Sequence, residues 1–243
     1  MSLIRRALKS RAVRWRRPPR MYLASMSTRP ISTKYGFDRG KSADRRYIEQ
    51  FLAEHAQAIR GRCIEVKDDS YARRFGAGRV SDVDVLDIDS GNDRATVVAD
   101  LQNLESVADA TYDCAIVTQT LQYLGDPRRG VSELHRILAP GGTALVTIPC
   151  LGRVEPGDLD RWRFMPKGAA DLFADLSWEV QVQTFGNVLL GVAMWTGMAV
   201  EDIPRRAWQI DDPVWPCVIG VRATKPQSHA PTSHLISRGL PQS

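Results

Sequence analysis

Short apolar runs alternate with helix-like stretches along the middle of the chain, and this alternation narrows the fold more than any other feature. The runs are CIEV at 63–66, VDVLDID at 83–89, ATVVADL at 95–101, YDCAIVTQ at 112–119 and TALVTIP at 143–149. The run at 112–119 is almost wholly apolar in its centre, as expected of a parallel strand covered on both faces. In the run at 83–89, Val83, Val85 and either Leu86 or Ile88 are expected inside. Ser42 is placed to cap a helix over about 43–60, on which Ile48, Phe51, Leu52, His55 and Ile59 share one face. Asp126-Pro127 supplies the cap and first residue of a helix to Leu138, with Val131, Leu134 and Leu138 inward, and Pro140-Gly141-Gly142 ends it.

After Pro149 the pattern loosens into a long loop. Pro166 opens a helix to about Leu176, 179–185 alternates as a strand, 188–200 is an apolar helix, and 218–224 is a last strand. Alternation of this kind predicts an α/β fold. The sheet is doubly wound, mostly parallel and seven-stranded, with an antiparallel C-terminal edge. The domain is expected over 36–225, between a basic arm at 1–35 and a polar, disordered tail at 226–243.

The net charge of +5 describes the arm rather than the domain. The first twenty residues carry eight basic side chains, and no acidic residue precedes Asp38. Without the arm the rest of the chain is net acidic. Three readings of the arm stay open: a solvated tail, a targeting segment, or a contact with an anionic membrane surface or nucleic acid. Among partners, nucleic acid is disfavoured by the acidic remainder, and peripheral membrane contact is the other role open to the arm. The oligomeric state is not legible. No apolar stretch is long enough to span a bilayer core of ~30 Å. Cys63, Cys114, Cys150 and Cys217 are widely spaced, which suits buried reduced thiols and a cytoplasmic compartment. The four histidines have no metal-ligand spacing, so no metal is expected. His55 reads as a packed helix residue, and His135 as facing away from the strand ends.

Ligands of such sheets lie beyond the carboxyl ends of the strands. Acidic residues recur there: Glu65 in the first strand, Asp87 and Asp89 ending the second, Asp100 ending the third. A carboxylate after the second strand suits a ribose diol, because it accepts two hydrogen bonds at once. Asp100 can accept from an adenine amino group, and backbone amides near Leu101 can address the ring.

The stretch YDCAIVTQTLQYLGDPRRGVSELHRILAPGGTALVTIP (112–149) resembles the fourth strand, Asp-Pro helix and Pro-Gly-Gly turn of class I S-adenosylmethionine-dependent methyltransferases. DRWRFMP (160–166) resembles a segment that follows in many of them. GFDRGKSADRRYIEQFL (36–52), EVKDDSYARRFG (65–76) and FGN (185–187) are similar to bacterial members associated with glycosyltransferases and with surface polysaccharide or glycolipid assembly. The resemblance covers about 35–224. It implies S-adenosyl-L-methionine as cofactor and a small-molecule or glycan acceptor, with O-methylation of a sugar or glycolipid hydroxyl. The alternative is a methyltransferase-like domain without catalysis, acting as a partner in glycan assembly.

The family's usual turn after the first strand is rich in glycine; here it holds Lys67, Asp68, Asp69 and Ser70. A sulfonium cofactor has no pyrophosphate to cradle, and an acidic turn can accept from its ammonium group. A pyrophosphate-bearing nicotinamide cofactor needs the missing glycines. Gln119, Gln122 and Tyr123 replace the more frequent acidic-His pair near the fourth strand's end. The expected cofactor residues are therefore Glu65, Lys67, Asp68, Asp87, Asp100, Leu101 and Gln119. Asp158 and Asp160 are the expected catalytic carboxylates, since a sugar hydroxyl benefits from a general base. Arg161, Trp162, Arg163 and Tyr47 are expected at the acceptor. The stretch 160–164 reads equally as a structural turn, with an Asp160–Arg163 ion pair and Trp162 and Phe164 in the core. Asp38, Arg39, Gly40 and Tyr47 are expected to fold over the cofactor. Asn187, Trp195 and Trp208 are further acceptor candidates, with core packing the stronger reading for Trp195.

Overall fold

The computed structural model describes residues 27–155, 159–174 and 176–227. Asp158 and the first twenty residues lie outside them, as does the tail from 228 onward. The strands are β1 Gly61–Val66, β2 Val80–Asp87, β3 Val97–Val98, β4 Tyr112–Thr118, β5 Leu138–Pro149, β6 Glu179–Phe185 and β7 Val218–Thr224. They form one sheet in the order β3-β2-β1-β4-β5-β7-β6. Pairing is parallel from β3 through β5, and β7 runs antiparallel to both β5 and β6. The reversed strand therefore sits one place in from the edge. The order reverses between β1 and β4, which is where such sheets bind ligands.

The helices are α1 Ala43–Glu54, α2 Ser70–Gly76, α3 Pro127–Ile137, α4 Pro166–Asp171 and α5 Val188–Thr196. Alternate residues of β4 serve the two faces. Ala115 and Val117 pack with Val131 and Leu134 of α3, while Cys114 and Ile116 pack with Phe51 and Leu52 of α1 and Leu190 of α5. Phe51 is fully buried, and a Cβ placed on Gly220 of β7 would lie 2.5 Å from its ring. The four cysteines are free thiols, three of them buried.

Several elements differ in extent from the sequence pattern. The first helix ends at Glu54 and the chain re-forms as a 3₁₀ turn at Ala56–Ala58. His55 closes that helix and bonds Gln183 through Nε2 at 2.8 Å. The third strand pairs only as Leu86–Val97 and Asp87–Val98, because the chain curls at once into turns that bond back to Asp100. The Pro-Gly-Gly segment does not precede β5; it lies inside it as a bulge, where the register steps from Tyr112–Leu138 to Cys114–Thr143. Gly142 is required there, since a Cβ would stand 2.8 Å from the Ala139 carbonyl. The helix after Pro166 stops at Asp171, and α5 stops at Thr196, capped by Gly197 at φ +71°. Leu86 is the inward residue of the second strand, and Ile88 is 70% exposed. Trp195 is 57% exposed rather than in the core.

Residues before α1 belong to the folded unit. The Ile31 N–H donates to the Thr196 carbonyl at 2.7 Å, Val200 N–H to Lys41 O at 2.7 Å, and Arg39 grips Asp202 with two 2.8 Å bonds. Ser32 bonds the Asp38 carboxylate. Among the described residues, no helix is long and apolar enough to cross a membrane.

Candidate active site

Two cavities lie at the carboxyl ends of the central strands. The larger, about 660 Å³, is within the usual size of small-ligand sites. One wall is Val66, Lys67, Asp87 and Ile88 from the ends of β1 and β2. The opposite wall is Ala99 to Gln102. Tyr123, Leu124 and the stretch Leu159 to Arg161 complete it. Asp87 accepts from Asn92 Nδ2 at 2.7 Å and from the Asp89 N–H at 3.1 Å. Asp100 accepts from the backbone and the side chain of Gln102, each at 2.9 Å. Both carboxylates are thus held in place with acceptor capacity remaining.

The turn after β1 answers for the missing glycine. Lys67 stands at φ +78°, in the left-handed region. Asn92 pins it by donating from Nδ2 to the Lys67 carbonyl at 2.8 Å, and the Lys67 N–H donates to Leu86 O at 2.9 Å. Gln119, at the end of β4, is also left-handed at φ +48°, with its N–H on Thr147 O at 2.8 Å. These two strained residues sit on the strands flanking the point where the sheet reverses. Such conformations persist only where the surroundings enforce them, and they gather at binding sites.

The smaller cavity, about 160 Å³, is bordered by Tyr35, Gln119, Gln122, Tyr123, Arg153 and Arg163, with Met194 and Met198 beyond. Tyr123 is common to both cavities. Gln119 Nε2 and Gln122 Oε1 are buried with no hydrogen-bond partner. The pair leaves one donor and one acceptor to be satisfied, an arrangement native interiors rarely leave unexplained.

The sequence-predicted residues divide. Lys67, Asp87, Asp100, Leu101 and Arg161 border the larger cavity, and Gln119 and Arg163 the smaller. Asp160 also borders the larger, but its carboxylate is bound by Arg163 through two nitrogens, one at 2.8 Å, and accepts from the Glu155 N–H at 2.8 Å. The Arg163 guanidinium holds its pKa below the ordinary value. That favours the structural reading of this stretch, an Asp160–Arg163 ion pair that anchors the loop. Glu65 is 2% exposed and lies off the cavity wall. Its oxygens accept from the Tyr71 and Ala72 N–H groups at 3.1 and 2.7 Å, fastening α2 to β1. Burial pushes its pKa up to about 8, against the lowering effect of those two bonds. Asp68 accepts from the Ser70 N–H at 2.8 Å and is likewise off the wall.

Tyr47 is 1% exposed, packed between Phe185 and Trp208 with ring centroids 5.4 Å away, and so is a core residue. Trp162 hangs from the Leu124 carbonyl through Nε1 at 2.8 Å, and the Arg161 N–H bonds Gln122 O at 2.9 Å, so this loop braces the turn carrying Gln122 and Tyr123. Asn187 caps α5 and ties it to the Ala207 and Ile210 carbonyls. His135 is edge-on to Trp178 at 4.9 Å, its pKa lowered by burial.

Three residues escaped the sequence reading. Tyr35 at φ +56° donates to Glu155, and the Arg153 guanidinium lies 4.0 Å from the Tyr35 ring centroid and 3.3 Å from Glu155 Oε2. Burial raises the Tyr35 pKa, so it remains a donor. Glu155 borders the larger cavity and Tyr35 the smaller. Glu155 stands in the same loop as Asp158 and Asp160, and Tyr35 directly precedes the segment GFDRG; both were visible as neighbours of residues that were chosen.

Residues 50–146, from the last turn of α1 into β5, match the family model described as methyltransferase domain. That match covers less than half of the chain and supports S-adenosyl-L-methionine as cofactor. The sheet is the Rossmann-like one of SAM-dependent methyltransferase structures. A SAM-dependent methyltransferase from Archaeoglobus fulgidus is similar over 74% of this chain and 94% of its own, at 12% identity and a TM-score of 0.52. One from Mesorhizobium loti is similar over 78% of this chain and 100% of its own, at 18% identity and a TM-score of 0.52. The Burkholderia thailandensis 1,6-didemethyltoxoflavin-N1-methyltransferase, with bound S-adenosylhomocysteine, covers 77% of this chain and 80% of its own at 14% identity and a TM-score of 0.50. At such identities these structures speak for the fold alone. No curated protein matches the chain. The residues present fit the cofactor: Asp87 suits its ribose diol, Ile88, which is exposed, and the buried Leu101 offer apolar surface to a base, and the wall from Val66 to Lys67 lies at the strand-order reversal.

Proposed function

We propose that this methyltransferase methylates a hydroxyl of a sugar or glycolipid. The observation that carries the reading is the second cavity: it shares Tyr123 with the first and presents an unpartnered donor, Gln119 Nε2, and an unpartnered acceptor, Gln122 Oε1. Hydroxyl groups both donate and accept, so a polyhydroxylated acceptor satisfies both amides at once. Tyr35 and Tyr123 add faces on which a sugar ring can rest.

Asp87, Asp100 and the Lys67 turn hold the cofactor, which supplies an electrophilic methyl group. Gln119 and Gln122 orient the acceptor, since placement supplies much of the acceleration in a transfer of this kind. Glu155, on the wall of the larger cavity and bonded to Tyr35 of the smaller, is the carboxylate assigned to receive the hydroxyl proton. Asp158, in the same loop, is the second carboxylate to test.

The test is calorimetric titration with S-adenosylhomocysteine, followed by methyl transfer to free and lipid-linked sugars. Expected are binding, and transfer that falls about 100-fold in Glu155→Gln while cofactor affinity holds. The left-handed Lys67 favours one rival, a methyltransferase-like domain that binds partners without catalysis. Absence of S-adenosylhomocysteine binding would establish the rival and end the proposal; transfer only to a nitrogen acceptor would end its hydroxyl part.

A further inference from the structure

Seven of the fourteen large apolar side chains that the described residues leave exposed gather around α5. Val188, Leu189 and Trp195 are 54%, 41% and 57% exposed on the helix itself, while Leu190 and Ala193 are buried on its inner side. The helix sequence, VLLGVAMWT, contains no charge. A helix facing water normally carries a polar outer face; this one is apolar on both. The chain around it extends the surface. Ile31, 50% exposed, is hydrogen-bonded to Thr196 at the helix end. Ile210, 66% exposed, accepts from the cap residue Asn187, and Val214 and Trp215 follow it. Exposed patches of this type mark partner or membrane contacts.

Charge selects between them. The chain reaches this surface at Ile31, from a segment whose first twenty residues hold eight basic and no acidic side chains. Arg205 and Arg206 are exposed beside the Asn187 contact at Ala207. Of the neighbouring acids, Asp202 is paired with Arg39, while Asp211 and Asp212 accept from the Gly186 and Val214 N–H groups and keep charges that Arg205 and Arg206 offset, so the positive surplus is that of the N-terminal segment. Tryptophan prefers the boundary between water and lipid.

We propose that the outer face of α5 docks on an anionic lipid bilayer, with the basic N-terminal residues as its electrostatic contact. Met194 of the same helix borders the smaller cavity, so docking sets the acceptor cavity beside the bilayer and selects a lipid-linked acceptor. That selection rests on the proposed hydroxyl acceptor; the docking itself does not.

The full chain is sedimented with vesicles of phosphatidylcholine, alone or mixed with phosphatidylglycerol. Binding is expected to the mixed vesicles, weakening with salt. It should fall about tenfold when Leu189→Asp is combined with Trp195→Asp, and also in Arg205→Glu combined with Arg206→Glu. S-adenosylhomocysteine affinity should be unchanged in both pairs, which controls for folding. Equal binding by native and variant chains would overturn the docking face, and equal binding to neutral vesicles would overturn the role of charge. A native dimer that the apolar variant dissociates, with no vesicle binding by either, would assign the face to self-association. Transfer to a soluble sugar is assayed on the same preparations, so failed docking with intact transfer sinks this inference alone.

Discussion

Lys67 pays for its left-handed backbone with roughly 1–2 kcal/mol, because its Cβ crowds the following carbonyl. Lys67→Gly relieves that crowding but adds freedom to the unfolded chain. The expected outcome is a gain of up to about 1 kcal/mol in chemical denaturation, with S-adenosylhomocysteine affinity held or improved; a loss of stability would show that the lysine side chain contributes more than its backbone costs. Glu65 carries a pH signature. Its folded pKa of about 8 lies above the unfolded value, so the contribution is full below the unfolded pKa and is lost as pH rises toward 8. Measured between pH 5 and about 8, the native chain should lose stability relative to Glu65→Gln; a constant difference would mean that the two amide bonds keep the carboxylate ionised throughout. Asp160 behaves oppositely in kind. Asp160→Asn leaves Arg163 without its partner and should cost about 3 kcal/mol, loosening the loop that braces Tyr123.

The elements that position the site depend on close packing between α1 and β7. Phe51→Ala removes a fully buried ring that meets β7 at Gly220, and should cost about 3–5 kcal/mol. Gly220→Ala puts a methyl into the same ring and should cost about 1–3 kcal/mol, read in the same denaturation series. The strands were legible as short apolar runs between helix-like stretches, continuous in β4 because both of its faces are covered. Their ends were less so. The Pro-Gly-Gly segment looks like a stop between helix and strand, yet a bulge absorbs it inside β5. Trp195 looks like core in an all-apolar helix, and no residue-by-residue pattern tells which face of such a helix stays outside.

At the scale of the whole molecule, the doubly wound, mostly parallel sheet was implied by alternation, and with it the placing of Asp87 and Asp100 at the strands' carboxyl ends. The rest of the site was not, because it is built by long-range closure: Tyr35 reaches Glu155 across 120 positions of sequence. A ligand that bridges β1, β2 and the Tyr123 turn stabilises all of them together. S-adenosylhomocysteine at 100 times its Kd should therefore add about 2.7 kcal/mol to unfolding, seen as a rise in Tm. Asp87→Ala should abolish most of that rise while leaving the unliganded Tm nearly unchanged; an undiminished rise would remove Asp87 from the ribose contact.

Tyr123 lines both chambers, so its ring is wall to each. Trimming this residue to alanine would fuse the chambers, and the enzyme would be expected to exchange selectivity among acceptor positions for tolerance of larger ones.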